Sequence, residues 1–376
     1  MVEAQARIAR IRDELNAMFF ERGELIDGAL CALMSAQHVL IIGPPGTAKS
    51  MLAEELCQRI EGAEYFQWLL TKFSTPEEIF GAVSLKSLEN DDYRRVTTHK
   101  LPEAHIAFLD EIFKANSSIL NALLTLINER LFHNGRERVA VPLITLFGAS
   151  NELPDEEELT ALYDRFMLRF VADYIGEDFR FLKMLEAARP QERTRLGFQE
   201  LGELRAAVSA VPVPQAVLRT VADIRRELGR QQIVASDRRY RMALDLLRAH
   251  ALLMQRNQVA EDDLLFLQHV LWKDPEERAK VRDTIKHLIK GYEEEARELL
   301  IQSQELQEQA VGEHESEEIR KRALHEAHVK IGNIMKRFDD LVRDASQSGR
   351  PLDTVEHMRV QIKQIHQALQ RHILQH

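Results

Sequence analysis

The chain reads as an α/β protein: a parallel-sheet core around a phosphate-binding loop, then an all-helical unit, then a C-terminal helical extension. Three observations predict this. The apolar run Val39-Leu40-Ile41-Ile42 leads into Gly43-Pro44-Pro45-Gly46-Thr47-Ala48-Lys49-Ser50 and an amphipathic helix start at Met51-Leu52-Ala53, the strand, glycine turn and helix whose backbone N–H groups and positive helix end cradle phosphate. Strand and helix patterns alternate as far as residue 173, as in a sheet covered on both faces. From residue 179 onward strand patterns stop and helical spacing takes over.

In order, residues 4–20 carry Ile8, Ile11, Leu15 and Phe19 at helical intervals, an amphipathic helix ahead of the nucleotide fold. A second helix over 25–36 feeds the first strand. After the loop, a helix over 51–60 precedes a strand over 65–70. Thr71 to Gly81 then contains Ser74 or Thr75 as the cap of a helical turn that begins at Pro76. Residues 82–101 are polar, with Asn90-Asp91-Asp92 as a turn signal between flanks able to pair as a hairpin. Ile106-Ala107-Phe108-Leu109-Asp110-Glu111 is an apolar strand that ends in two carboxylates. A helix over 117–128 buries Ile119, Leu120, Leu123, Leu124 and Ile127, and a second hairpin turn centres on Asn134-Gly135. A strand over 143–150 ends at Asn151, a helix spans 156–166, and a last strand runs over 168–173.

Helices over 179–188, 198–208, 214–228 and 238–254 form the all-helical unit, which closes near Trp272. The final hundred residues are rich in Glu, Gln, Lys, Arg and His. Val281, Ile285, Leu288, Tyr292, Ala296, Leu299, Leu306 and Ala310 keep a nearly unbroken four-three spacing with Ser303 as its gap, and Gly312 ends that helix. Ile319 to Leu341 repeat the spacing, residues 346–351 form a loop, and Val355 to Leu369 make a third helix. This set folds as an antiparallel bundle or as a projecting coiled hairpin. The expected division is 1–178, 179–275 and 276–376.

With 376 residues, 45% of them hydrophobic, the chain has room for two or three units. Its apolar runs are strand-sized and its N-terminus is too polar for a secretory signal, which excludes membrane insertion. Cys31 and Cys57 each lie among apolar helical residues, as buried thiols in a reducing cytoplasm would. A net charge of −10 disfavours broad nucleic-acid binding, and the 14 histidines lack the spacing of a zinc site.

The chemistry concentrates at two places. In the loop, Lys49 would reach the β- and γ-phosphates of ATP, and the Ser50 hydroxyl would hold Mg2+. Ala48 stands where a second glycine is usual, at little cost if it already lies in the first helical turn. At the carboxylate pair, Asp110 can hold the magnesium shell and Glu111 can orient and deprotonate the attacking water.

These residues resemble the MoxR branch of the AAA+ ATPases, and within it the RavA type. The resemblance rests on the loop Gly43 to Ser50 with Met51 behind it, on Phe73-Ser74-Thr75-Pro76-Glu77-Glu78-Ile79-Phe80-Gly81, on Leu109-Asp110-Glu111-Ile112 and on Asn121 to Arg130. Ala149-Ser150-Asn151-Glu152-Leu153-Pro154, Leu162-Tyr163-Asp164-Arg165-Phe166 and Ser236-Asp237-Arg238-Arg239-Tyr240 complete it. It implies an AAA+ core with a helical lid, in a homo-oligomeric ring, usually of six subunits, with nucleotide at each boundary. It implies that Asn151 helps place the attacking water. It implies that Arg165, or else Arg169, is presented to the neighbour's γ-phosphate, worth ~10³–10⁵ in rate, and that Arg238, or else Arg239, contacts the phosphates of its own subunit. Members of the branch commonly work with a partner bearing a von Willebrand factor A domain to remodel a client protein. The insertion over 82–101 and the Asn134-Gly135 turn would face the pore, and neither carries an aromatic-glycine pair for threading. After about Gln309 the chain departs from the RavA pattern, staying helical where an extra domain with strands is expected. A magnesium-chelatase-like motor subunit, a DNA-stimulated motor and a slow nucleotide-gated scaffold are the alternatives.

Overall fold

The computed structural model describes residues 2–154, 157–186, 193–312, 317–347 and 352–375. The expected helix start at 156, the helix end at 187–188 and most of the loop over 346–351 lie outside the described residues. The chain divides into two compact units, Met1–Val281 and Arg282–His376.

In the first unit, α1 (Val2–Met18) and α2 (Gly23–Ser35) precede the sheet. Ile8, Ile11, Leu15 and Phe19 are all buried, as their helical spacing requires. The central sheet is wholly parallel, in the order β3-β4-β7-β1-β8. Its strands are β1 (Val39–Ile42), β3 (Tyr65–Leu69), β4 (Ile106–Asp110), β7 (Thr145–Ser150) and β8 (Leu168–Val171), and α3 (Lys49–Gln58) follows β1. The interior strands β1 and β7 are buried at every position, which is why they read as continuous apolar runs without alternation. Gly148 of β7 cannot be enlarged, because a Cβ there would lie 2.8 Å from the Phe166 ring. Between β4 and β7 come α6 (Ser117–Glu129) and later α7 (Glu157–Arg165) leads to β8.

The strand pattern does not end at residue 173 as expected. Leu196–Gly197 (β9) pairs in parallel with Ile60–Glu61 (β2), a two-residue strip too short to show a period. The remaining helices of this unit are α8 (Asp178–Glu186), α9 (Phe198–Ala210), α10 (Gln215–Arg230) and α11 (Asp237–Leu253), and Trp272 is fully buried.

Two insertions leave the sheet. The first follows α4 (Pro76–Phe80), which opens on a Thr75 backbone N–H donating 3.0 Å to Glu78 Oε2 and ends at Gly81, φ 98°. It contains α5 (Leu85–Leu88) and closes through one antiparallel bridge, Val83 to Arg95, so it is a looser hairpin than expected. The second is the regular hairpin of β5 (Leu131–Asn134) and β6 (Glu137–Ala140). They are joined. The Asn134 side chain accepts from Arg95 N–H at 2.6 Å and donates to Arg95 C=O at 3.1 Å, and Arg94 pairs with Glu137. Gly135, at φ 64°, could not carry a Cβ without a 2.4 Å contact to Asp92.

In the second unit, the later part of α12 (Glu277–Val311) packs with α13 (Glu317–Gln347) and α14 (Asp353–Gln375) around one core that includes Tyr292, Leu299, Ile331, Phe338, Val355 and Leu369. This is the bundle alternative. Two expectations need correction. The helical stretch is already interrupted at Gly291, where φ 75° and ψ 161° break the helix well before Gly312. Ser303 is no gap: it is completely buried, with its hydroxyl donating 2.8 Å to Leu299 C=O, the local bond that lets a small polar residue sit in a helical core. Among the described residues no helix is long and apolar enough to cross a membrane, and no group of three or more His, Cys, Asp or Glu could hold a metal.

Candidate nucleotide-binding and catalytic site

The loop leaves the C-terminal end of β1 and curls through Gly43 (φ 154°) and Gly46 (φ 82°) before α3. A Cβ on Gly43 would lie 2.1 Å from Ala172 C=O, so glycine is required where the loop crosses the end of β8. Pro44, Pro45 and Gly46 form the outer curve, and Thr47 turns inward, its hydroxyl 3.1 Å from Pro44 C=O. Ala48 corrects the sequence reading. It lies just before the helix in the left-handed region, φ 62° and ψ 24°, the conformation that favours glycine and costs an L-residue roughly 1–2 kcal/mol.

Lys49 Nζ donates to Gly43 C=O and Pro44 C=O, both at 2.7 Å, inside the curl. Burial lowers its pKa, and the charges of Asp110 and Glu111 oppose that shift. Ser50 sits in the first turn of α3, with Met51 exposed behind it. A hydroxyl, a carboxylate and a ring of backbone N–H groups are the hard-oxygen and phosphate-binding set that Mg2+ and ATP require. The residues present therefore fit both groups.

At the end of β4, Asp110 Oδ1 accepts from Glu111 N–H at 3.0 Å, and Glu111 itself is left-handed, φ 51°. A carboxylate residue held there is a local strain of the kind that persists where surrounding structure fixes a functional group. Asn151, at the end of the adjacent strand β7, donates from Nδ2 to Glu111 Oε1 at 2.7 Å. The Glu111 carboxylate and the Asn151 side-chain amide are thus in direct contact across 40 residues of sequence.

The arginines separate into two kinds. Arg169 is 1% exposed, donates to Trp272 C=O and to Tyr163 C=O at 3.3 Å, and lies 4.0 Å over the Tyr163 ring. Burial pulls its pKa down to about 9. Arg239 is likewise buried, donating to the carbonyls of Met167, Val270, Asp164 and Phe166 at 2.9–3.1 Å. Both are structural. Arg165, 3.5 Å from Asp164, and the exposed Arg238 line a cavity of about 200 Å³ together with His38, Arg130, Asp164 and Arg239 itself; unlike Arg239, neither is enclosed by backbone carbonyls among the described residues. That cavity lies at the N-terminal end of β1, whereas the phosphate loop leaves the C-terminal end. Arg238 thus lies with the start of β1, whereas Lys49 and the phosphate loop follow its other end. Asp164, which sequence reasoning overlooked, reaches Arg165, Arg169 at 3.9 Å and Arg239 at 3.3 Å. Its position directly before Arg165 was the available signal.

A five-stranded parallel sheet with a phosphate loop at its end, a carboxylate pair on the strand beyond, and a helical unit after it define a phosphate-loop ATPase of the AAA+ class. Residues 6–205 match the family described as the MoxR domain of the MoxR-vWA-beta-propeller ternary systems, and residues 216–285 match an AAA lid domain. The chain belongs to the MoxR family of AAA+ ATPases. It is 40% identical over 297 residues to the uncharacterized protein MJ0079 of Methanocaldococcus jannaschii, covering 78% of each chain. It is 25% identical over 199 residues to Chaperone MoxR1 of Mycobacterium tuberculosis, covering 51% of this chain and 52% of that one. The fold also resembles the solved structure of a candidate ATPase from Cytophaga hutchinsonii, with TM-score 0.61 and 16% identity over 77% of this chain and 95% of that one.

Proposed function

We propose that the protein hydrolyses MgATP at the boundaries of a head-to-tail homo-oligomeric ring, hexameric as in the RavA type, and uses the resulting motion to remodel a client protein. The observation that carries this reading is the separation of the cations. Lys49 follows the C-terminal end of β1, and Asp110 and Glu111 stand at the same end of β4 in the parallel sheet, while Arg165 and Arg238 line a cavity at the N-terminal end of β1. Two always-charged guanidiniums at that end suit the phosphates of a neighbour's nucleotide, and a heterologous contact of this kind forms a ring where the rotation between subunits closes.

In this mechanism the backbone N–H groups of Gly43 to Ser50 and the Lys49 ammonium bind the phosphates, and Ser50 and Asp110 hold Mg2+, which supplies charge neutralisation when bound. Glu111 orients the water and takes its proton, and Asn151 fixes the Glu111 carboxylate in the required direction through the 2.7 Å bond. The neighbour's Arg165 and Arg238 complete the charge. Residues 1–178 act as the nucleotide domain, 179–275 as the lid and 276–376 as the arm for a partner. The family described for residues 6–205 is named for systems that combine MoxR, von Willebrand A and β-propeller components, which supports a von Willebrand A partner here. The RavA-type kinship rests on the Phe73 to Gly81 match, and the cytoplasm is the compartment that suits the two unpaired, buried cysteines.

Subunit mixing tests the reading. Lys49→Ala and Arg165→Ala should each abolish turnover alone. Mixed in equal amounts, they should regain activity, because about a quarter of head-to-tail interfaces then join an intact phosphate loop to an intact arginine. No recovery, with both variants assembled, refutes an active site shared between subunits.

A further inference from the structure

Helix α8 (Asp178–Glu186) is amphipathic the wrong way round for a helix on a finished surface. None of its residues is buried. Phe179, Phe181, Leu182, Met184 and Leu185 are 38–64% exposed, and at spacings of three and four they form one broad apolar stripe. The polar face is the one tied to the protein. Arg180 pairs with Glu21 at 3.8 Å and Glu177 at 3.2 Å, and Glu21 also accepts from Gly176 N–H at 3.0 Å. Ordinarily a helix turns its apolar stripe to the core and its charges to water; here the charges anchor and the stripe faces out. Exposed apolar patches of this kind mark sites that another molecule covers.

From this geometry we infer that α8 is a docking surface for a second copy of this chain and seals the rim of the nucleotide site. Two further observations identify the occupant. The segment leading into α8 touches the phosphate loop, with Tyr174 donating 3.3 Å to Pro45 C=O, so the helix starts close in sequence to a contact with the nucleotide site. The approach to α8 is acidic, with Asp173 and Asp178 exposed beside the Glu177 that pairs with Arg180, whereas the cavity at the N-terminal end of β1 carries Arg130, Arg165, Arg238 and Arg239 against one carboxylate, Asp164. The two regions are complementary in charge, and a head-to-tail contact brings them together. The inference rests on the ring reading and adds to it the apolar surface that holds the interface.

The test uses the full chain in the Glu111→Gln background with saturating ATP, where hydrolysis does not disperse the assembly. Sedimentation should show a concentration-dependent oligomer, and adding Leu182→Glu with Leu185→Glu should raise the concentration needed for assembly at least tenfold. Since α8 buries nothing in the single chain, melting and binding of a fluorescent ATP analogue by the protomer should be unchanged. Assembly equal to that of the parent overturns the role of α8, as does altered protomer nucleotide affinity with assembly intact, which would make α8 a wall of its own site. Should the parent remain monomeric at every concentration, the ring reading fails first and the inference with it; the parent itself, impaired in hydrolysis by Glu111→Gln yet assembled, separates loss of catalysis from loss of the interface.

Discussion

Arg238 and Arg239 are adjacent in sequence and should fail in opposite ways. Replacing Arg239 with Met removes donors from three buried carbonyls, those of Met167, Val270 and Phe166, and from the part-buried carbonyl of Asp164. Each orphaned buried acceptor costs about 1–3 kcal/mol, and relief of the desolvated guanidinium returns part of the total. A net loss of about 3–5 kcal/mol follows, the range for breaking a buried polar cluster by removing one partner. For a unit of this size it should lower the melting temperature by about 10 °C. Arg238→Met touches no such cluster and should stay within about 0.5 kcal/mol of the parent, while ATPase activity of the assembled protein falls by about 10²-fold or more. Thermal melting by circular dichroism and steady-state phosphate release read the two effects. If Arg239→Met melts with the parent, or if assembled Arg238→Met turns over at the parental rate, the division of labour is wrong.

Three other outcomes are expected. Ala48→Gly relieves the left-handed alanine at φ 62° and should stabilise by about 0.5–1 kcal/mol, after the greater freedom of glycine in the unfolded chain is subtracted, as a urea midpoint would show. In the second unit, burial pushes the Glu295 pKa up, but hydrogen bonds from His287 and Arg337 and their charges outweigh it and hold it down to about 2. The unfolded chain therefore takes up the proton first, so the stabilisation is full above about pH 4.5 and is lost between pH 4.5 and 2, up to about 3 kcal/mol; Glu295→Gln should flatten that part of the profile in hydrogen exchange of the bundle. Asn134→Ala removes both bonds to Arg95 and should speed amide exchange of Arg95 at least about tenfold, a loss of about 1.4 kcal/mol locally.

The sheet and its loop were legible because a buried parallel strand next to a glycine turn has few other readings, and Val39 to Ser50 supplied both. The carboxylate pair was legible for the same reason, since Asp110 and Glu111 close an apolar run. That Asn151 works beside Glu111 came only with the family resemblance, and their direct hydrogen bond was not legible, because strands β4 and β7 adjoin only in the folded sheet. Nor could sequence separate Arg238 from Arg239: successive residues at a helix start point about 100° apart, and which of them faces the interior depends on the carbonyls of Asp164, Phe166, Met167 and Val270. Gly291 escaped notice because the apolar spacing runs straight through it, from Leu288 to Tyr292, although the backbone does not. Ser303 misled for the converse reason, being polar by type but satisfied within its own turn.

The Asn134 side chain imitates a peptide group, giving and taking one hydrogen bond at the backbone of Arg95 as a neighbouring strand would. Through it the two insertions become a single probe with one hinge rather than two independent fingers. Lengthening either turn by one residue would throw the amide out of register with its target, so the tips can vary in side chain far more readily than in length.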